Sequence, residues 1–195
     1  MDQRTLIAIV IVVAVVVIAI AAFITVSRKR RSTHLKERFG AEYDRAILQR
    51  GDSAKAESEL LKREKRVDSF TIKELTPAAR DRFAQEWTTI QSRFVDDPAI
   101  AVNEADSLVN RVMATRGYPM ADFEQRAADI SVTHPAVVQN YRAARIFLKR
   151  YGRGEAGTED LRQAMVHYRS LFDELLGAQT AAAATTRGVL HGRAS

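Results

Sequence analysis

The side chains able to do chemistry are few. Histidines stand at 34, 134, 167 and 191, and cysteine is absent, so thiolate nucleophiles, disulfides and thiolate metal sites are excluded. His134 is the best placed for general acid–base work. Asp129 precedes it by five residues, and Asp96 and Asp97 offer further carboxylates. An imidazole oriented by a carboxylate activates water, so one expectation is a hydrolytic site using His134 with Asp129 or Asp97. The competing reading is local and is favoured. Thr133 and His134 precede Pro135, the pattern of a helix start. His167 follows on a helix face about 100° from Tyr168 and reads as solvated. Two adjacent carboxylates at 96 and 97 supply too few oxygens for a calcium cage, and Asp97 before Pro98 reads as a cap. HExxH, GxSxG and glycine-rich phosphate loops are missing. No catalytic, cofactor-binding or metal-ligating residue is assigned, and no cofactor or small-molecule substrate is expected.

Two other stretches could meet a partner. Arg28, Lys29, Arg30 and Arg31 form a basic run suited to anionic lipid headgroups, each cation contributing on the order of 1 kcal/mol. Arg116-Gly117-Tyr118-Pro119 could present Tyr118 as an exposed aromatic contact, although a helix stop followed by a turn is the favoured reading.

The basic run follows the longest apolar stretch, Leu6 to Val26, which contains no charge. At about 1.5 Å per residue this covers about 31 Å, the hydrocarbon thickness of a bilayer. Its many β-branched residues would favour strand in water, but lipid demands internally satisfied backbone and therefore helix. Lys and Arg stay on the cytoplasmic side, so the N-terminus is expected outside and the bulk of the chain in the cytoplasm. A cleaved signal, exporting everything downstream, is the alternative. The length of the apolar run, its weak leading charge and the basic flank oppose it, while Ala19 and Ala21 keep it in view.

The net charge of +6 suggests nucleic acid until it is divided along the chain. Residues 32 to 177 carry 23 basic and 23 acidic side chains; the excess lies at 28–31 and in the tail. A folded region with no net positive charge is a poor tracker of phosphates, so no nucleic-acid partner is expected.

Beyond the apolar run, Leu35, Phe39, Tyr43 and Ile47 recur every four residues, with a bend expected at Gly40. Ser32 and Thr33 could start a new helical turn, or one helix could continue to Phe39. Ser53 to Asp68 is a highly charged helix former with a narrow apolar face, favoured as a solvated spacer over a helix packed along one edge. Thr76-Pro77, Asp97-Pro98 and Thr158 mark helix starts; Gly117, Gly152 and Gly177 mark stops. Between them run five amphipathic stripes. Phe83, Trp87, Ile90 and Phe94 lead the first; Val102 to Val112 form the second; Met120, Phe123, Ala127 and Ile130 form a shorter third. Val137 to Tyr151 and Leu161 to Leu175 complete the set. Nothing alternates with period two long enough to make a sheet. Ala178 onward is too small and polar to offset its ordering entropy and is expected to be a disordered tail.

The strings RFGAEYDR (38–45), FVDDP (94–98), RGYP (116–119) and TEDLRQAMVHYR (158–169) resemble an uncharacterised bacterial family of membrane or secreted helical proteins. The similarity spans most of residues 35 to 176; relatives often carry proline where this chain has Ala41. The resemblance implies a bacterial origin, and with it a bacterial inner membrane for the expected anchor, and a genuine domain, and it transfers no functional residues.

The expected fold is all-α, with residues 1–27 as a single transmembrane anchor, 28–70 as a basic juxtamembrane segment and charged helical linker, 71–177 as a bundle of about five amphipathic helices, and 178–195 as the tail. The expected role is that of a single-pass membrane protein presenting a cytoplasmic interaction domain, with a lipid bilayer and either a protein partner or a second copy as its contacts.

Overall fold

The computed structural model of the chain describes residues 3–177, with side chains from Val12 onward. The expected tail, and the side chains of residues 6–11 of the apolar run, lie outside that range. Eight helices and no strand occur among the described residues. They are α1 (Gln3–Phe39), α2 (Ala41–Arg50), α3 (Ser53–Asp68), α4 (Pro77–Arg93), α5 (Pro98–Arg116), α6 (Phe123–Thr133), α7 (Val138–Gly152) and α8 (Thr158–Leu176). The chain divides into two compact units between Leu60 and Leu61, inside α3.

In the first unit, α1 is one continuous helix of 37 residues. Ser32 and Thr33 start nothing new, and Thr33 instead bonds back to the Lys29 carbonyl at 3.0 Å. The helix is long and apolar enough to cross a membrane, and none of its apolar window is buried against protein. Ile18 is 67% exposed and Phe23 is 73% exposed. The break comes at Gly40, whose φ of 51° suits a residue without a Cβ. There the chain turns back, and α2 packs on α1 with Leu35, Phe39, Tyr43 and Ala46 buried. On α3, Ala56 and Leu60 are buried as well. The charged helix is therefore a packed element here, correcting the favoured reading of a solvated spacer.

The second unit is a bundle of α4 to α8 with the end of α3. Its closest packed pairs are α7 with α8, α5 with α8, and α4 with α5. The predicted stripes form the core. Phe83, Trp87 and Ile90 from α4, Val102, Ala105, Val109 and Val112 from α5, and Leu161, Ala164, Tyr168, Leu171 and Leu175 from α8 are all buried. Phe94 is only partly buried. Trp87 stacks on Phe172 with ring centroids 4.7 Å apart, an aromatic pair that adds to simple area burial. A polar chain crosses this core. Tyr168 donates to the Asp106 carboxylate at 2.8 Å, and the Tyr141 hydroxyl takes a hydrogen bond from Arg126 Nε at 3.2 Å. Burial and the Asp106 charge push the Tyr168 phenol above its ordinary pKa, which keeps it a donor.

Helix ends follow the capping chemistry with four corrections, one being that Gly152 does not stop its helix: it is the last residue of α7, Arg153 is the cap, and Gly154 takes the left-handed turn. Thr76 and Asp97 cap α4 and α5 by accepting from Ala79 and Ile100 backbone N–H groups, and Gly117 and Gly177 end α5 and α8 in the left-handed region. The last helix starts one residue early: Gly157 is its N-cap, and Asp160 reaches back to the Gly157 N–H at 3.0 Å. The short helix begins at Phe123, capped by Asp122, leaving Met120 55% exposed outside it. The pair at 133–134 closes a helix and does not open one. His134 is the C-cap of α6, its N–H bonded to the Ile130 carbonyl at 2.7 Å, and α7 starts four residues later at Val138. Proline at 135 stops the preceding helix because it has no N–H to extend the ladder.

Candidate functional site

Several clefts collect polar and charged groups among the described residues, and one in each unit holds residues singled out by the sequence. The first lies at the end of the bundle, where α5, α6 and α8 terminate. Glu74, Arg80, Arg116, His134 and Glu174 line a cleft of about 330 Å³ there. Glu174 and Arg116, not Asp129 or Asp97, are the groups that His134 meets. His134 Nδ1 lies 3.1 Å from Glu174 Oε1, which accepts if Nδ1 carries the proton. The lone pair then left on Nε2 faces Arg116 Nη1 at 3.4 Å. Arg116 Nη1 also donates to the Leu175 carbonyl at 2.9 Å, and its Nε donates to the Lys73 carbonyl at 3.3 Å. This guanidinium thereby answers the carbonyl end of α8, a favourable place for a cation.

Burial holds the His134 pKa below its ordinary value; Glu174 pulls it up and the Arg116 charge pushes it further down. A buried neutral imidazole is a usual ingredient of acid–base catalysis, but a general base needs a free lone pair facing substrate. Here both ring nitrogens are engaged within the protein. The two arginines are matched by two glutamates, so the cleft selects no net charge.

The carboxylates considered as partners are committed elsewhere. Asp129 is fully buried, and its Oδ1 accepts from Arg66 at 3.1 Å and from Gln125 at 2.8 Å, joining α3 to α6. Asp97 caps α5. Five residues of helix set Asp129 about 140° around α6 from His134, which puts the two on different faces. His167 is half-buried rather than freely solvated. Its Nδ1 lies 3.1 Å from Asn140 Oδ1 and its ring stacks on Phe147. Tyr118, offered as a partner contact, is 3% exposed, and its hydroxyl pairs with Thr133 Oγ1 at 2.7 Å. It is a core residue of this fold, brought inward because Gly117 reverses the chain. Among the described residues no group of three or more His, Asp or Glu side chains converges as metal ligands would.

The second place is the basic stretch of α1. Arg28, Lys29 and Arg31 line a cleft of about 480 Å³ together with Ser32, Ser53 and Glu57. Arg30 is not part of it. At about 100° per residue, positions 28, 31 and 32 share an arc of α1 facing the start of α3, and position 30 points the other way. The frame around the cleft is hydrogen-bonded: Tyr43 on α2 pairs with Ser32 Oγ at 2.8 Å and donates to Glu57 Oε1 at 3.0 Å. Arg31 Nε lies 3.8 Å from the other Glu57 oxygen. The Tyr43 phenol feels opposing influences. The Ser32 hydrogen bond lowers its pKa, but partial burial and the Glu57 hydrogen bond and charge win and raise it. It is therefore held as a donor at neutral pH. Sequence reasoning found the cations but not their division into two faces, nor the role of Tyr43 and Glu57, because both depend on where α3 returns.

No family model matches the chain, and comparison with curated proteins and with solved structures likewise gives no match.

Proposed function

We propose that the chain is a single-pass membrane protein whose α1 anchors it in a bilayer and whose helical bundle serves, on the cytoplasmic face, as a binding module for another protein or a second copy. The observation that carries this reading is the unpartnered apolar length of α1. Val12 to Val26 is apolar on every side and exposed, although the same helix, from Leu35 on, packs normally against α2. In water such a surface costs roughly 25 cal/mol for each Å² left exposed, and lipid removes that cost. Four cations directly after it support retention of the following chain in the cytoplasm. A binding role is supported less directly, by the engagement of both His134 nitrogens within the protein.

Fractionation is the test of the anchor. The full chain is expected to stay with membranes after an alkaline wash, and a C-terminal tag is expected to be cut by protease only in inside-out vesicles. Recovery in the high-speed supernatant would remove the reading. A mature protein lacking Leu6 to Val26 on mass spectrometry would replace it with an exported helical domain. For the binding module, the intact protein purified in mild detergent is expected to run as a stoichiometric complex or dimer; a monomer alone, across a range of concentrations, counts against it.

A further inference from the structure

The four juxtamembrane cations are equal in sequence but not in structure. Arg28 and Arg31 face the cleft between α1 and the start of α3, Lys29 stands at its edge and also lines a second groove with Arg30 and Glu37, and Arg30 lies outside the cleft. Among the described residues Arg28 forms no ion pair, Lys29 and Arg30 share that second groove with Glu37, and Arg31 has only the 3.8 Å contact with Glu57. Glu57 is the one acidic group lining the cleft, and its charge is engaged by Arg31 and the Tyr43 hydroxyl. Three cations thus meet one acid already in use, leaving a concave site with net positive charge.

Its height relative to the apolar run identifies what is available to bind. Arg28 is two residues past Val26, and Ser32 six. A helical rise of roughly 1.5 Å per residue puts these side chains about 3–9 Å beyond the hydrocarbon edge, within the headgroup layer. The phosphate of a lipid headgroup is the anion concentrated at that height. Guanidinium forks match phosphate oxygens two at a time, and a lysine adds a mobile point charge. The Ser53 hydroxyl can donate as well, whereas Ser32 is already paired with Tyr43. The N-terminus of α3 contributes little, because Asp52 already accepts the Lys55 N–H at 2.7 Å.

We propose that this cleft seats the phosphate of one anionic phospholipid headgroup, held by Arg28, Lys29 and Arg31, and that Arg30 serves only the general attraction to the membrane surface. The proposal rests on α1 being a membrane anchor, but it adds selectivity that topology alone does not require. It also gives the Ser32–Tyr43–Glu57 chain a purpose, namely holding the cleft open at a set width.

The test uses the full chain in mild detergent, with phosphatidylglycerol and phosphatidylcholine as probes and native mass spectrometry as the readout. One phosphatidylglycerol is expected to be retained in preference to phosphatidylcholine. Arg28→Gln is expected to weaken its retention roughly fivefold, the worth of one headgroup-level cation, while charge-matched Arg30→Gln leaves it within about twofold. Equal losses in the two variants, or no preference for phosphatidylglycerol, would overturn the seat in favour of a diffuse field. Displacement of the lipid by millimolar inorganic phosphate would overturn the lipid assignment and make the ligand a soluble phosphate. Alkaline washing of membranes carrying each variant separates the two readings. If all variants stay in the membrane but none discriminates between lipids, only the headgroup seat fails.

Discussion

The two units handle apolar residues in opposite ways. In the bundle, each helix carries a stripe, and the other helices cover it: every position from Leu161 to Leu175 on the α8 stripe is buried. In the first unit, α1 is apolar on all sides over Val12 to Val26, and nothing among the described residues covers it. The lesson lies in the width of the apolar face. A stripe calls for another helix, whereas a complete apolar circumference calls for a different solvent. The polar groups differ too. The bundle ties remote helices through buried Asp129 and the Tyr141 and Tyr168 hydroxyls, while the first unit uses a single chain of hydroxyls and one carboxylate to tie α1, α2 and α3 together.

With α1 as the proposed anchor, that contrast predicts that a core lesson and an anchor lesson separate cleanly. Phe172→Ala removes the stacking partner of Trp87 and is expected to destabilise the bundle by roughly 3–5 kcal/mol without releasing the chain from membranes. Thermal unfolding of the detergent-solubilised protein, alongside fractionation, checks both halves. Conversely, Ile18→Arg adds a charge at the middle of the apolar run. It is expected to cost roughly 2.5–3.5 kcal/mol of insertion and to lower the membrane-bound fraction while leaving bundle unfolding unchanged.

Gly117→Ala comes next. A Cβ there would lie 2.5 Å from the Thr71 carbonyl oxygen, at a φ of 96°. Backbone on both sides leaves little room to relax, so a loss of roughly 1–3 kcal/mol is expected in the bundle. In the first unit, Tyr43→Phe deletes the hydroxyl linking Ser32 to Glu57. Neither partner is fully buried, so a loss of roughly 0.5–1.5 kcal/mol is expected, read as faster amide exchange in α2 with the bundle unaffected.

The smallest effect is a pH dependence confined to the bundle. His134 has a folded pKa below its unfolded value, so the unfolded chain binds its proton more readily. Its contribution to stability is full above about pH 6.5 and is lost as pH falls from there through the folded value. His167, also shifted down by burial, acts in the same direction. Stability of the wild type is expected to decline between pH 7 and pH 5, and His134→Gln is expected to flatten part of that decline. An unchanged slope would show that the Glu174 and Arg116 contacts leave His134 no net linkage.

Much of the architecture was legible from spacing. The stripes, the break at Gly40 and the stops at Gly117 and Gly177 are local properties, and each stands where periodicity and backbone freedom put it. The errors cluster where two local rules compete. Thr133-His134-Pro135 carries both the start pattern and the stop pattern of a proline, and the stop prevailed because Ile130 was already presenting a carbonyl to the His134 N–H. Tyr118 could face either way after the turn at Gly117, and its burial and its hydrogen bond with Thr133 fifteen residues on are tertiary outcomes. The charged face of α3 concealed Ala56 and Leu60, whose burial depends on how the rest of the chain packs around the helix and not on its own pattern.

The residues alone determined that the chain is helical, that one segment is apolar all the way round and that its cations lie at one end of that segment, since periodicity, hydropathy and charge need no knowledge of distant neighbours. Tertiary structure alone decided that His134 meets Glu174 forty residues away, that Arg116 answers the end of α8, and that Arg28 and Arg30 face different surroundings. Those outcomes depend on which helix ends meet in space, and pairing between remote segments leaves no periodic trace along the chain.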